Sequence, residues 1–231
     1  MNRNFTAFCA ATFACALILA FCGAIWTGSP SFSLADTNEK EIKTVYLTFD
    51  DGPSDRVTPK ILDVLKEENV KATFFIIGNQ AEPRKYILKR EAAEGHTIGV
   101  HSYSHRYKEI YASCDSLIKD IDKCNEVIKS VTGKYSKIYR FPGGSFGLSE
   151  KFISAVTEHG LRYIDWNAST RDAEIYDAAP EQLLHAAVTT AASTDNIVLL
   201  AHDSTTKTAT AEALRAIIRH FKAEGYEFSR F

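Results

Sequence analysis

Short apolar runs alternate with amphipathic stretches along most of this chain. The runs are rich in β-branched and aromatic residues and end at Gly, Pro or polar clusters, which is typical of strands. The stretches between them repeat apolar residues every three or four positions, which predicts helices. Seven strands are predicted, over residues 44–49, 71–77, 96–101, 137–141, 161–167, 196–201 and 226–230. Six helices are predicted, over residues 56–68, 83–94, 113–131, 149–159, 180–192 and 207–224.

This alternation predicts an α/β fold in which crossover helices join the strands of a parallel sheet. Several runs are apolar along most of their length, as strands covered on both faces are. The rhythm alone leaves two architectures open, a doubly wound open sheet and a (β/α) barrel. No internal repeat and no second domain boundary interrupts the pattern.

The N-terminal segment follows a different pattern, because residues 5–26 contain no charged side chain. That length is close to the roughly 20 residues of a membrane span and exceeds the usual core of a signal peptide. A membrane anchor is therefore favoured, although Ser33-Leu34-Ala35 resembles a signal-peptide cleavage site. Either interpretation places the rest of the protein outside the cytoplasm, membrane-anchored or secreted. The expected organisation is an anchor or signal peptide at 1–35, a linker at 36–43 and one folded domain at 44–231.

Composition and charge narrow the class of protein. The chain has 231 residues, is 45% hydrophobic and has a formal charge of −2, so it is an ordinary globular protein without a strongly basic surface for nucleic acid. Cys114 and Cys124 fall in one predicted helix, about 15 Å apart, too far for a disulfide. A monomer is expected.

Titratable residues recur where predicted strands end. In parallel α/β folds the functional site lies at the carboxyl ends of the strands. The residues at those ends are Asp50 and Asp51, His101 and His105, Arg140, Asp172, and His202 with Asp203. One carboxylate and two histidines suit a metal such as zinc. The other carboxylate of the Asp50-Asp51 pair is then free to act as a base.

Each of these signals is weak by itself. An Asp-Asp-Gly sequence is more often a turn, and two histidines four residues apart are often surface neighbours. Arg140 alone suggests an ion pair. Their joint placement at one edge of the sheet favours a functional site. The remaining histidines lie away from that edge and are interpreted as structural or solvent-exposed; they are His96, His159, His185 and His220.

Five sequence motifs, in this order, give the chain a recognisable resemblance. They are TFDDGPS at 48–54, HSYSH at 101–105, RFPGG at 140–144, a degenerate segment at 166–172, and IVLLAHD at 197–203. With these motifs the chain resembles the polysaccharide deacetylases of carbohydrate esterase family 4, the NodB homology domain. The resemblance implies a distorted, incomplete (β/α) barrel with about seven parallel strands. It also implies hydrolysis of N-acetyl groups on a glycan.

The resemblance further implies a metal-dependent site. Asp51, His101 and His105 match the metal ligands of the family. Zinc is the first choice of metal, with cobalt, nickel and manganese as alternatives.

Catalytic roles follow from the same resemblance. Asp50 matches the catalytic base and Arg140 the arginine that pairs with it. His202 matches the general acid and Asp172 the carboxylate that holds it. Gly143 stands where the family supplies a backbone N–H to the oxyanion.

Two departures from the family concern the subsite for the acetyl group. Aromatic residues are frequent in the family at the positions of Gly143 and Ala173. Leu200, Trp166 and Tyr176 are the candidate substrate-binding residues. Unless Trp166 or Tyr176 fills the gap, the pocket is expected to be wide and to discriminate N-acetyl from N-propionyl by less than about tenfold.

The expected substrate is a cell-wall polysaccharide, N-acetylhexosamine of peptidoglycan, because the enzyme is expected outside the membrane and has no separate binding module. Chitin oligosaccharides and O-acetyl xylan are the alternatives. A hypothesis from a different class is an inactive glycan-binding module on the same fold. That hypothesis predicts the loss of some catalytic groups, whereas all seven family positions are filled.

Overall fold

Eight parallel strands form one sheet in the computed structural model, which describes residues 42–192 and 194–231. They are β1 (Thr44–Asp50), β2 (Thr73–Ile77), β3 (Thr97–Ser102), β4 (Ile138–Tyr139), β5 (Arg162–Tyr163), β6 (Ala168–Ser169), β7 (Asn196–His202) and β8 (Glu227–Ser229). The prediction of one strand over 161–167 is wrong. Only Arg162–Tyr163 form a strand (β5) within that range. A separate strand, β6, follows it at Ala168–Ser169 and pairs with a different neighbour.

Helices and turns connect the strands. They are α1 (Thr58–Glu67), α2 (Gly78–Ala81), a 3₁₀ turn (Glu82–Arg84), α3 (Lys85–Ala93), α4 (Tyr107–Ile110), α5 (Cys114–Thr132), α6 (Glu150–Glu158), α7 (Pro180–Ala191) and α8 (Thr208–Ala223). The six predicted helices correspond to α1, α3, α5, α6, α7 and α8. Ser113 caps α5 by accepting a hydrogen bond from the Ser116 N–H, and Gly133 ends this helix in the left-handed conformation.

The sheet is curled, as its strand order requires. The order is β5-β4-β3-β2-β1-β7-β6, with β8 added beside β1. A flat sheet of seven strands would separate β5 from β6 by roughly 29 Å. The chain between Tyr163 and Ala168 can span at most about 18 Å. The sheet therefore bends into an incomplete barrel, which confirms the fold expected from the resemblance.

β1 is an inner strand of this sheet and has pairing partners on both edges. It pairs with β7 along its whole length, so that Asp50 is the partner of His202. On the other side β8 pairs with the first half of β1, from Thr44 to Tyr46, and β2 pairs with the second half, from Thr48 to Asp50. The strand ends that carry the titratable residues therefore meet at one rim.

The inner strand β2 is covered on both faces. In β2 all five residues are buried, and buried side chains of helices α1, α5 and α8 belong to the same apolar core. Burial on both faces explains why the strands read as continuous apolar runs.

Cys114 and Cys124 are free thiols.

The predicted anchor or signal peptide at 1–35 and most of the linker at 36–43 lie outside the described residues. Within the described part of the chain, no helix combines the length and apolar character needed to cross a membrane.

Candidate active site

The three predicted metal ligands lie together at the rim of the barrel. Oδ1 of Asp51 is 3.5 Å from Nε2 of His101 and 3.4 Å from Nε2 of His105. One ligand atom from each residue lies within 4.8 Å of the other two. We call these three residues the Asp-His-His cluster.

The hydrogen bond that His101 makes outside the cluster leaves its Nε2 unprotonated and able to bind a metal ion. Its Nδ1 lies 2.9 Å from the carbonyl oxygen of Arg140, so Nδ1 carries the proton and donates it. Nε2 then presents a lone pair toward Asp51. Burial lowers the pKa of His101 to about 3, so the ring is neutral at physiological pH. Histidines that bind metal ions are neutral, and their other ring nitrogen usually donates a hydrogen bond of this kind.

The cluster fits a divalent metal ion. Oδ1 of Asp51 is buried and has no hydrogen-bond donor among the described residues. A buried acceptor without a partner is costly, and a bound cation would satisfy it. Two imidazole nitrogens and one carboxylate form a donor set that leaves coordination positions open for reactants.

Two of the three cluster residues have left-handed backbone conformations, with φ of 74° at Asp51 and 55° at His105. Such conformations are unfavourable for residues with a side chain and persist where surrounding contacts impose them. Each of the two has its own support.

Asp120 of α5 supports the segment that carries His105. Its carboxylate accepts hydrogen bonds from Ser102 Oγ at 2.6 Å, Tyr103 N at 2.7 Å and Ser104 N at 3.0 Å. The Ser102 hydroxyl oxygen in turn accepts a hydrogen bond from the His105 N–H at 2.8 Å. Sequence reasoning missed Asp120 because it is one acidic residue among several on an amphipathic helix.

Asp203 supports the segment that follows Asp51. Its Oδ2 accepts a hydrogen bond from Thr58 Oγ1 at 2.5 Å, and its N–H donates to the Asp50 carbonyl at 3.0 Å. A Cβ on Gly52 would lie 2.1 Å from the same Oδ2. Gly52 is therefore required by this close approach, and the carboxyl of Asp203 lies where another residue would have a side chain. Burial raises the pKa of Asp203 to about 7.

Asp50 and Arg140 form a buried pair beside the cluster. Nη1 of Arg140 donates to Asp50 Oδ1 at 3.0 Å and to Thr48 Oγ1 at 2.7 Å. The other guanidinium nitrogens donate to the carbonyl oxygens of Ile164 and Asp165, in the segment between β5 and β6. Burial raises the pKa of Asp50, and the charge of Arg140 opposes this rise. Oδ2 of Asp50 lies 4.0 Å from Nε2 of His101, toward the cluster.

His202 and Asp172 form a second pair. Nδ1 of His202 lies 2.7 Å from Asp172 Oδ1, and the His202 backbone N–H donates to Oδ2 at 2.8 Å. Thr210 Oγ1 also donates to Oδ2, at 2.7 Å. Burial disfavours the charged imidazolium, but the Asp172 carboxylate outweighs it and raises the pKa of His202 to about 9.

Gly143 lies in a turn after β4 with a φ of 83°. Among the described residues, none accepts a hydrogen bond from its N–H, so this donor is available to a ligand. The next residues are held by Asp165, because the N–H of Ser145 donates to Asp165 Oδ1 at 3.0 Å.

The three predicted substrate-binding residues lie in different environments. Leu200 is buried in β7. Trp166 packs against Gly144, where a Cβ would lie 2.9 Å from its ring, and lies beside the guanidinium of Arg140. Tyr176 is 98% exposed. Tyr176 thus lies on the surface, and its role in substrate binding stays a prediction.

Comparisons with known proteins agree with this geometry. Residues 37–164 match the family model described as polysaccharide deacetylase. A peptidoglycan-N-acetylglucosamine deacetylase of Bacillus cereus is 35% identical over 199 residues, which cover 84% of this chain and 71% of that protein. Peptidoglycan-N-acetylmuramic acid deacetylase PdaA of Bacillus subtilis is 34% identical, with 86% and 72% covered. The deacetylase PgdA of Listeria monocytogenes is 35% identical, but the match spans 39% of its length.

A solved structure extends the agreement to the fold. The catalytic domain of peptidoglycan N-acetylglucosamine deacetylase from Eubacterium rectale is 36% identical and superposes with a TM-score of 0.74. The match covers 86% of this chain and 93% of that one. The resemblance seen in the five motifs is confirmed, and the chain belongs to the polysaccharide deacetylase family.

Proposed function

We propose that this protein is a metal-dependent hydrolase that removes N-acetyl groups from N-acetylhexosamine residues of peptidoglycan. The observation that carries the proposal is the pairing of a base and an acid on adjacent strands. Asp50 at the end of β1 is the register partner of His202 at the end of β7. Neighbouring strands are about 4.8 Å apart, so both groups can reach one substrate at the Asp-His-His cluster.

Asp50 is suited to accept a proton. Its Oδ1 is held by Arg140 and its Oδ2 faces the cluster. As a water molecule attacks the acetyl carbonyl carbon, one water proton moves to this carboxylate. Arg140 favours the charged form of Asp50 before the transfer.

His202 is suited to donate a proton. Asp172 holds Nδ1, so the protonated ring offers the N–H of Nε2 to the substrate. When the carbon–nitrogen bond breaks, the departing sugar amine takes this proton. The products are acetate and a free amino sugar.

The negative charge that develops on the carbonyl oxygen needs donors already in position. The free N–H of Gly143 is one such donor. A divalent metal held by Asp51, His101 and His105 would polarise the carbonyl and acidify the attacking water. Zinc suits two imidazole nitrogens and a carboxylate.

Peptidoglycan is proposed as the substrate because similar proteins are named for it, one for N-acetylglucosamine and another for N-acetylmuramic acid. Action on the cell wall requires a site outside the cytoplasmic membrane. The uncharged residues 5–26 support that location, as an anchor or as a signal peptide.

Acetate release from purified peptidoglycan tests the proposal. We expect the full-length chain, purified in detergent and loaded with Zn²⁺, to release acetate from peptidoglycan faster than from chitin oligosaccharides or acetylated xylan. Mass spectrometry of the digested product would identify the sugar that has lost its acetyl group. Binding of peptidoglycan without acetate release would instead support an inactive glycan-binding module.

Asp172→Asn is expected to shift the pH dependence of the reaction. Because His202 must be protonated, kcat/KM should fall as the pH rises through its pKa of about 9. Without the Asp172 charge, burial lowers this pKa, so the alkaline limb should move toward acid. The pH profiles of kcat/KM in the two proteins provide the measurement. An alkaline limb that does not move would contradict the pairing of His202 with Asp172.

A further inference from the structure

Gly143 has no side chain, but a tyrosine from another segment occupies the space beside it. A Cβ on Gly143 would lie 3.3 Å from Cε1 of Tyr107 and 3.3 Å from the Tyr107 hydroxyl oxygen. A bulky side chain at position 143 would therefore collide with the Tyr107 ring where it now lies. The Tyr107 ring can occupy this space because residue 143 has no side chain.

The position of Tyr107 is fixed from several sides. It is the first residue of α4, and its ring meets the His105 ring edge-on with centroids 5.3 Å apart. Its other neighbour is Tyr111, with ring centroids 6.0 Å apart. The Tyr111 hydroxyl donates to the Pro142 carbonyl at 3.0 Å, which ties α4 to the turn that carries Gly143. Tyr107 thus contacts His105 of the Asp-His-His cluster and lies beside Gly143.

Part of the ring faces open space, since Tyr107 is 47% exposed. The other aromatic candidates are placed differently. Trp166 packs against Gly144 and Arg140, and Tyr176 extends into solvent. Tyr107, in contrast, borders both the cluster and Gly143.

We infer that Tyr107 determines acyl specificity by forming the wall of the subsite for the acetyl methyl group. The inference rests on the proposed N-deacetylase function. The acyl oxygen has to lie near the cluster and the Gly143 N–H, where its negative charge is stabilised. The methyl group of the same acyl group then lies close to the ring that spans these two points.

A wall at this position changes the expected specificity. A longer acyl chain would meet the Tyr107 ring, and a pocket that excludes one methylene discriminates by about 10- to 200-fold. This inference differs from the expectation of a wide, weakly discriminating pocket, which considered Gly143 and Ala173 alone. The wild-type enzyme should prefer N-acetyl over N-propionyl by more than about tenfold in kcat/KM.

Matched N-acetyl and N-propionyl oligosaccharides test this inference. Truncation in Tyr107→Ala should reduce the preference for acetyl below about threefold, because the discrimination by one methylene is lost. Tyr107→Phe should keep the wild-type preference, since it keeps the ring. Tyr135→Ala removes a tyrosine of similar exposure, 42%, from the turn after α5 and should leave the preference unchanged. Tyr107→Ser provides a second truncation if the alanine variant does not fold.

The outcomes separate the inference from the proposed function. Absence of acetate release by the wild type would overturn the proposed function. Active truncation variants with the wild-type acyl preference would overturn the role of Tyr107 alone. Metal content is measured in every variant, and loss of metal in the truncation variants would show that Tyr107 supports His105 instead, which also overturns the inference.

Discussion

His105→Ala is expected to lose stoichiometric metal and, with it, essentially all deacetylase activity. Three side chains form the Asp-His-His cluster, and removal of one leaves two ligands to hold the ion. The side chain of His105 is 26% exposed, so its truncation should leave the core intact. Asp51→Ala and His101→Ala should act in the same direction. His101 is a less clean choice because it is buried and hydrogen-bonded to Arg140. Metal content by mass spectrometry and acetate release on the same preparation provide the measurements.

His185→Ala serves as the control, because His185 is exposed on α7 and its loss should change neither metal content nor rate. Removal of metal from the wild type by a chelator should abolish activity, and added Zn²⁺ should restore it. Added Zn²⁺ should fail to restore His105→Ala. If His105→Ala and His101→Ala both kept one metal ion per chain and the wild-type rate, the assignment of ligands would be wrong.

Asp50→Asn is expected to keep the metal but to lose about two to four orders of magnitude in kcat, the usual contribution of a positioned base. The amide has nearly the same shape and can still accept a hydrogen bond from Arg140, but it cannot take a proton from water. The matched variant is Asp51→Asn, which should lose metal. If Asp50→Asn lost metal as well, the roles given to the two neighbouring aspartates would be exchanged.

The same substitution should also lower stability. Arg140 is fully buried, and Asp50 is the carboxylate that pairs with it. Removing one partner of a buried ion pair costs about 3–5 kcal/mol, and the remaining hydrogen bonds to Arg140 should reduce that loss. Thermal unfolding of the variant therefore has to be measured first, and kcat compared well below its melting temperature.

The residues of the rim could be predicted from the sequence because they follow the carboxyl ends of predicted strands. Strands of a parallel sheet bring their carboxyl ends to the same side, so Asp51 and His101 could be expected together without any knowledge of contacts. The segment at 161–167 misled the prediction of strands, because the pattern of apolar residues does not reveal which strands pair. β5 pairs with β4 and β6 with β7, and the break between them depends on closure of the barrel.

Other features of the site depend on contacts between distant segments. Asp120 lies on an amphipathic helix, and nothing in its local sequence distinguishes it from a surface acid. Asp203 could be placed at the rim from its strand end, but its close approach to Gly52 could not. Tyr107 follows His105 by two positions, but only the packed structure brings its ring to Gly143. Local patterns therefore identify chemical groups at strand ends, whereas the supports and walls around them require the tertiary structure.

The position of β1 has a consequence for how the protein reaches its folded state. Thr48 of β1 donates a hydrogen bond to the carbonyl of Leu199, 151 residues further along the chain. Contacts so distant in sequence form late and slow folding, because a long loop must close before they contribute any stability. During synthesis, Asp50 can therefore pair with His202 only after about 150 further residues have been made. A nascent or truncated chain that ends before residue 196 would contain all three residues of the Asp-His-His cluster. It would lack the proposed acid, His202, and the strand β7 that pairs with β1 along its whole length.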